Sequence, residues 1–200
     1  GEALLPYLEK VDVTEKKQEE GFYMPVQRVC RPDHTFRGFQ GQIESGEVKV
    51  GDEIVTLPSN ERAHIKSILV GDKDSQSAFM GQPVTLQLDK EVDVSRGCVI
   101  ASGNNLPISK SFTATILWMD DEELTPGTDY LVKLGTKQIP GILKNIQYKI
   151  DVNTGEFIPA GQLKKNEIAV CDLDLQEPVV IDEFKKHKTL GAVSYTHLTL

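Results

Sequence analysis

The chemistry-bearing residues of this 200-residue chain are few and scattered, and each has to be weighed against its neighbours. A phosphate-cradling loop needs Gly-x4-Gly-Lys-Ser/Thr, so that backbone amides and a lysine meet the phosphates. Gly46 and Gly51 have that separation, but Asp52 and Glu53 follow where the lysine and hydroxyl are required. Carboxylates there repel phosphate, so the stretch reads as a hairpin. The other guanine-nucleotide signatures, Asp-x-x-Gly and Asn-Lys-x-Asp, are absent from the sequence. His34 follows Cys30 by four residues, but His64, His187, His197, Cys98 and Cys171 share no such spacing with that pair or with one another, so no metal site is indicated. The odd, widely spaced cysteines give no disulfide framework and read as reduced packing thiols. Asp120, Asp121, Glu122 and Glu123 could hold a metal or act as acid and base, but four acids before Thr125-Pro126-Gly127 read as a solvated loop. Spacing leaves a Ser/His/Asp triad open, because triads assemble in space, yet no Gly-x-Ser-x-Gly elbow marks a nucleophile. Trp118 and Tyr148 are either interface anchors or core residues. No catalytic, cofactor-binding or metal residue is assigned.

The elements around these residues are β-strands. Across Arg37–Glu53 (RGFQGQIESGEVKVGDE), apolar residues alternate through Phe39, Ile43, Val48 and Val50, with turns at Ser45-Gly46 and Gly51-Asp52. Short runs follow one another: FYMPVQRVC, TFRGFQGQIE, DEIVTL, AHIKSILV, PVTLQL and CVIA, with Ser95-Arg96-Gly97 as a turn before the last. Pro25 places the first run at an edge or bulge. After a Gly/Asn/Pro hinge at 102–109, strands resume with SFTATILWM, YLVKLG, GILKNIQYKIDV, EIAVCDLDL and PVVIDEF. This predicts an all-β chain of two consecutive barrels over residues 22–102 and 103–192. Residues 1–21 read as the end of a helix, with Leu4, Leu5, Leu8 and Val11 on one face, and a charged linker. The tail 193–200, VSYTHLTL, continues nothing before it and reads as non-native. The formal charge of −8 disfavours nucleic acid as a partner, and no apolar run reaches the roughly 20 residues of a membrane helix. The chain reads as cytoplasmic.

The run RGFQGQIESGEVKVGDEI also resembles the second domain of translation-factor-type GTPases. Further pieces narrow the likeness: Arg28–His34 (RVCRPDH) leading into FRGFQGQIE, Phe79-Met80-Gly81-Gln82 before PVTLQL, Glu91–Gly97, Trp118-Met119, Tyr130–Thr136, Ile146–Glu156 and Asn166-Glu167-Ile168. Together they are similar to the large, GTP-hydrolysing subunit family of bacterial sulfate adenylyltransferase (ATP sulfurylase). The resemblance implies an elongation factor Tu-like layout, with a GTPase domain before two barrels equivalent to domains 2 and 3. It implies a heterodimer with a small ATP-using subunit that makes adenylyl sulfate and pyrophosphate from ATP and sulfate, coupled to GTP hydrolysis. GTP and Mg would be bound through the GTPase domain, of which only the last helix is represented, so the chain is expected to be inactive alone. Some relatives carry an adenylyl sulfate kinase after the barrels. The family's second barrel runs on past Leu190-Gly191-Ala192, so this one is expected to be truncated, with an exposed edge that drives self-association. The alternative reading is the tRNA-binding barrel pair of an elongation factor Tu-like translation GTPase. A free-standing barrel adaptor is a third reading, which the helix at the start of the chain opposes.

Overall fold

The structure, a computed structural model, describes residues 4–10, 21–32, 36–103 and 105–197. Val11, the 12–20 linker, His34 and residues 198–200 lie outside the described residues. A short helix α1 (Leu4–Lys10) opens the chain, with Leu4, Leu5 and Leu8 exposed. Among the described residues no helix is long and apolar enough to cross a membrane.

The first sheet is built from β1 (Phe22–Pro25), β2 (Arg28–Cys30), β3 (Gly38–Gln42), β5 (Glu53–Leu57), β6 (Glu61–Val70), β7 (Lys73–Ser75), β9 (Pro83–Leu88) and β10 (Val99–Ser102). A separate two-stranded ribbon, β4 (Glu47–Lys49) with β8 (Ser77–Phe79), crosses it. The antiparallel order β1-β10-β5-β6-β9-β3-β2 ends on two strands that are consecutive in sequence. The sheet therefore closes through the peptide between them. Val26 N–H donates to Cys98 O (2.8 Å) on one side, and Gln27 N–H donates to Gln40 O (2.8 Å) on the other. Pro25 sits at the end of β1, an end strand of the sheet, where a missing N–H is tolerated. Period-two patterning fills the interior with Met24, Val26, Phe39, Ile43, Ile54, Ile65, Ile68, Leu86 and Ile100. Gly41 is required where β3 passes under β1, since a Cβ there would lie 2.3 Å from Pro25 O.

The second sheet comprises β11 (Ile108–Leu117), β12 (Asp129–Leu134), β13 (Lys137–Ile150), β14 (Phe157–Ile158), β15 (Ile168–Val180) and β16 (Val193–His197), with α2 (Lys188–Gly191) before the last strand. Its order is β11-β15-β13-β12-β16, with β14 on the far half of β13. Ile116 of β11 and Val132 of β12 share one apolar cluster although two strands separate them, so the sheet curls around its core. Trp118, fully buried, sits in that core with Leu143, Leu163, Cys171 and Leu173.

The structure adds to the sequence reading at three places. The runs EIAVCDLDL and PVVIDEF form one strand, β15, because Pro178 falls where pairing with β11 is interrupted by a bulge at Ser109/Ser111 and removes no ladder bond. The 102–109 hinge is anchored: Leu106 is buried in an apolar cluster between the two sheets. The 193–197 stretch is a strand, with its backbone paired to β12 from Val193↔Leu134 to His197↔Tyr130.

Candidate functional site at the junction of the two sheets

Within the Gly46–Glu53 stretch, the amides of residues 49–52 are already committed. Lys49 N–H donates to Asp52 Oδ2 (2.7 Å), Val50 N–H to Gln76 O (3.0 Å), Gly51 N–H to Ile65 O (2.8 Å) and Asp52 N–H to Lys49 O (3.1 Å). Donors so used do not cradle phosphate, and these residues do not fit a nucleotide. Arg37, which opens the translation-factor-like motif, holds the chain together. Its guanidinium lies over Phe39 (5.0 Å) and donates to Glu91, to Val92 O (2.9 Å) and to Val94 O (3.0 Å), fastening the 91–94 segment to the start of β3.

The remaining candidates are dispersed. His64 is exposed and paired with Asp89 (3.1 Å), whose carboxyl is held below its ordinary range chiefly by the His64 backbone amide. His187 is buried and paired with Asp182 (2.9 Å). His197 lies on β16 at the register position of Tyr130. Cys98 and Cys171 are buried and Cys30 is half-buried. Burial pushes the Cys171 thiol up to about 11, with a smaller contribution from the neighbouring Asp172 carboxylate. The acidic run is an exposed turn with structural duties. Trp118 Nε1–H donates to Glu122 O (2.6 Å), Lys165 pairs with Asp121 (2.7 Å), and Gln162 donates to Glu123 (2.6 Å). Trp118 thus belongs to the core, whereas Tyr148 packs on Phe157 at the outer face (4.6 Å). Among the described residues no group of three or more His, Cys, Asp or Glu is placed to hold a metal ion.

What the fold does assemble is a joint. Tyr23, Leu57, Val99 and Ala101 of the first sheet form a buried apolar cluster with Leu106 of the hinge, Val180 of β15 and Leu190 of α2. Polar contacts rim it: Thr136 Oγ1–H donates to Val26 O (3.0 Å), and Arg96 Nε–H to Thr136 O (3.1 Å). Gly97 is needed here on two counts. Its φ is +92°, and a Cβ would lie 2.5 Å from the Lys137 side chain. At the far rim the Tyr23 ring meets the His187 ring edge to face (5.0 Å), and Tyr23 Oη lies 3.3 Å from Thr189 Oγ1. Burial alone would raise the Asp182 carboxyl, but the Glu183 amide, the His187 ring and Lys186 outweigh it and hold that carboxyl below its usual range. None of this was readable beforehand, since Val26 and Thr136 are 110 positions apart.

A second feature is an open cleft of about 1480 Å³ beside β11, floored by Phe112, Ala114, Ile116, Leu173 and Ile181 and flanked by Asp120, Asp121, Asp182 and Glu183. Lys185 lines it as well, and Asp121 and Asp182 are paired with Lys165 and His187.

The fold of two antiparallel β units is shared with solved structures of other proteins. Sup35 in complex with GDP superposes with a TM-score of 0.85 at 23% identity, covering 99% of this chain and 49% of Sup35. Translation elongation factor SelB from Methanococcus maripaludis gives 0.70 at 23% identity over 98% of this chain and 42% of its own. Residues 111–197 match the family "GTP-eEF1A C-terminal domain-like". Curated relatives match along nearly the whole chain. It is 41% identical to sulfate adenylyltransferase subunit 1 of Teredinibacter turnerae, across 96% of this chain and 41% of the relative. The corresponding protein of Alteromonas mediterranea is 39% identical over the same shares. The bifunctional enzyme CysN/CysC of Rhodopirellula baltica is 39% identical over 96% of this chain and 30% of its own. The chain is thus similar to sulfate adenylyltransferase subunit 1 proteins and spans about two fifths of those relatives' length.

Proposed function

We propose that this chain is the two-barrel portion of a GTP-hydrolysing sulfate adenylyltransferase subunit, serving docking and coupling and carrying no catalysis of its own. The observation that carries this reading is the identity of about 40% to subunit 1 proteins along nearly the whole chain. In this reading GTP and Mg are held by a GTPase domain outside these residues, because the amides of residues 49–52 are already spent within the turn and its neighbours. A small ATP-using subunit then makes adenylyl sulfate and pyrophosphate from ATP and sulfate. Coupling two reactions on different subunits requires two states that differ in their partner contacts. A pair of barrels fixed at a buried joint can pass a displacement from one end to the other without bending between them.

Titration calorimetry of the 200-residue chain tests the reading with two ligands. The small ATP-using subunit of a related sulfate adenylyltransferase should bind, and GTP should not. No heat with the subunit removes the docking role. A gel shift with tRNA at low salt, weakening as salt rises, would instead favour the barrels of a translation factor. The formal charge of −8 predicts no such shift.

A further inference from the structure

We propose that the outer face of the second sheet carries the docking patch for the small ATP-using subunit, an apolar row at the end of the sheet farthest from the joint. This rests on the docking role proposed for the chain. Strand register assembles the row. Leu117 of β11 pairs with Ile168 of β15, Ile168 with Ile150 of β13, and Ile150 with Phe157 of β14. Residues directly opposite one another share a face of the sheet. The adjacent Ile116 and Ala169 fill the core, so this row faces outward. Val170 and Tyr148 form a second row beside it, and the Tyr148 ring packs on Phe157. Leu117 and Phe157 are 49% and 67% exposed, and the other four are half-buried. The next row turns polar: Asp172 accepts from Thr113 Oγ1–H and Gln147 Nε2–H (both 2.7 Å). A contiguous exposed apolar patch with a polar border marks a surface that meets another protein.

The border selects the occupant. Glu156 precedes Phe157, Asp151 sits in the turn between β13 and β14, and Asp172 is answered by neutral donors. Lysines of the flanking segments are already committed, Lys149 to Glu167 and Lys165 to Asp121 (2.7 Å each). An acidic border repels nucleic acid and a second copy of the same face. It suits a protein whose own face is apolar at the centre and edged with lysine or arginine. Position favours a separate subunit over an upstream part of the same chain. In the reading above the GTPase domain is attached ahead of β1, whose Tyr23 lies in the joint. Ile108, packed on the joint, and Leu117 are opposite ends of β11, about 30 Å apart at the rise of an extended strand.

Titration calorimetry of the whole chain and its variants against the small subunit of a related sulfate adenylyltransferase tests this. Phe157→Ser and Leu117→Ser should each weaken binding by about tenfold or more. Phe79→Ser removes a comparably exposed phenylalanine (53%) from the ribbon of the first barrel and should leave the affinity unchanged. Glu156→Lys should weaken binding by less and flatten its decline with salt. Near-ultraviolet circular dichroism of the buried Trp118 verifies that each variant is folded. A wild-type chain that fails to bind removes the docking role and this surface with it. Binding kept by both Phe157→Ser and Leu117→Ser leaves the docking role standing and overturns the patch, which then serves another occupant such as the GTPase domain. Binding lost in Phe79→Ser but kept in those two places docking on the first barrel and overturns it as well.

Discussion

At the residue scale, described groups placed where catalytic chemistry would be sought are occupied with holding the chain together. Asp52 stands where a phosphate loop would need its lysine, and it ties off the turn by accepting Lys49 N–H. Arg37 spends its fork on Glu91 and two backbone carbonyls. The cysteines differ in a way that can be measured. The thiolate is the reactive species, and burial holds the Cys171 thiol up at about 11. Cys98 is also buried, while Cys30 is half-buried. Brief alkylation of the native chain at neutral pH should therefore label Cys30 and spare Cys98 and Cys171 until the protein unfolds. Peptide mapping before and after denaturant reads this directly, and early label on Cys171 would show that its environment is not the closed one described.

At the level of elements, the joint is where most was hidden and where a single atom matters most. Gly97→Ala places a side chain at a positive φ, costing about 1–2 kcal/mol, and drives it against the Lys137 stem. Thermal unfolding of this variant should show a lower midpoint, and the single transition should broaden or split as the two sheets separate. A wild-type melting curve would mean that the Lys137 stem yields without cost. Local turns were legible in the sequence because their cause is local. Gly155 is at positive φ after Asp151, whose carboxylate accepts the N–H groups of Asn153 and Thr154. The β4–β8 ribbon was not legible, since three-residue strands carry too little alternation to register. β15 read as two strands because Pro178 is an interruption in sequence, and only pairing partners reveal that it falls at a bulge. β16 was missed for a similar reason: its membership is decided by β12, some 60 positions away. The joint depends on contacts of longer range still, and no window of sequence contains it.

For the whole molecule, the acidic balance sets how stability responds to pH. Asp182, Glu167 and Asp174 are partly or largely shielded carboxyls held below their ordinary range. For Glu167 and Asp174 the leading causes are the ammonium groups of Lys149 and Lys144; for Asp182 the local hydrogen bonds overcome burial. A carboxyl with a depressed folded value stabilises the native state fully above its unfolded value, near 4. That contribution is lost as pH falls through the folded value. The melting temperature should thus stay level from neutrality to about pH 5 and fall steeply below about pH 4. Asp182→Asn should melt lower at neutral pH and show a shallower acid limb. A melting temperature unchanged into strong acid would mean that these pairs contribute nothing to the native state.

One carbonyl deserves a longer view. Val26 O lies at the seam of the first barrel and receives two donors, Gly97 N–H from its own barrel (2.9 Å) and Thr136 Oγ1–H from the other (3.0 Å). The first donor is available once residue 97 has been synthesised, and the second only some forty residues later. Made from its N-terminus, the chain can close the first barrel early, yet leaves one lone pair of the seam to water until the second unit folds against it. Docking then finishes what barrel closure began. The two halves share a last step of folding as well as a surface.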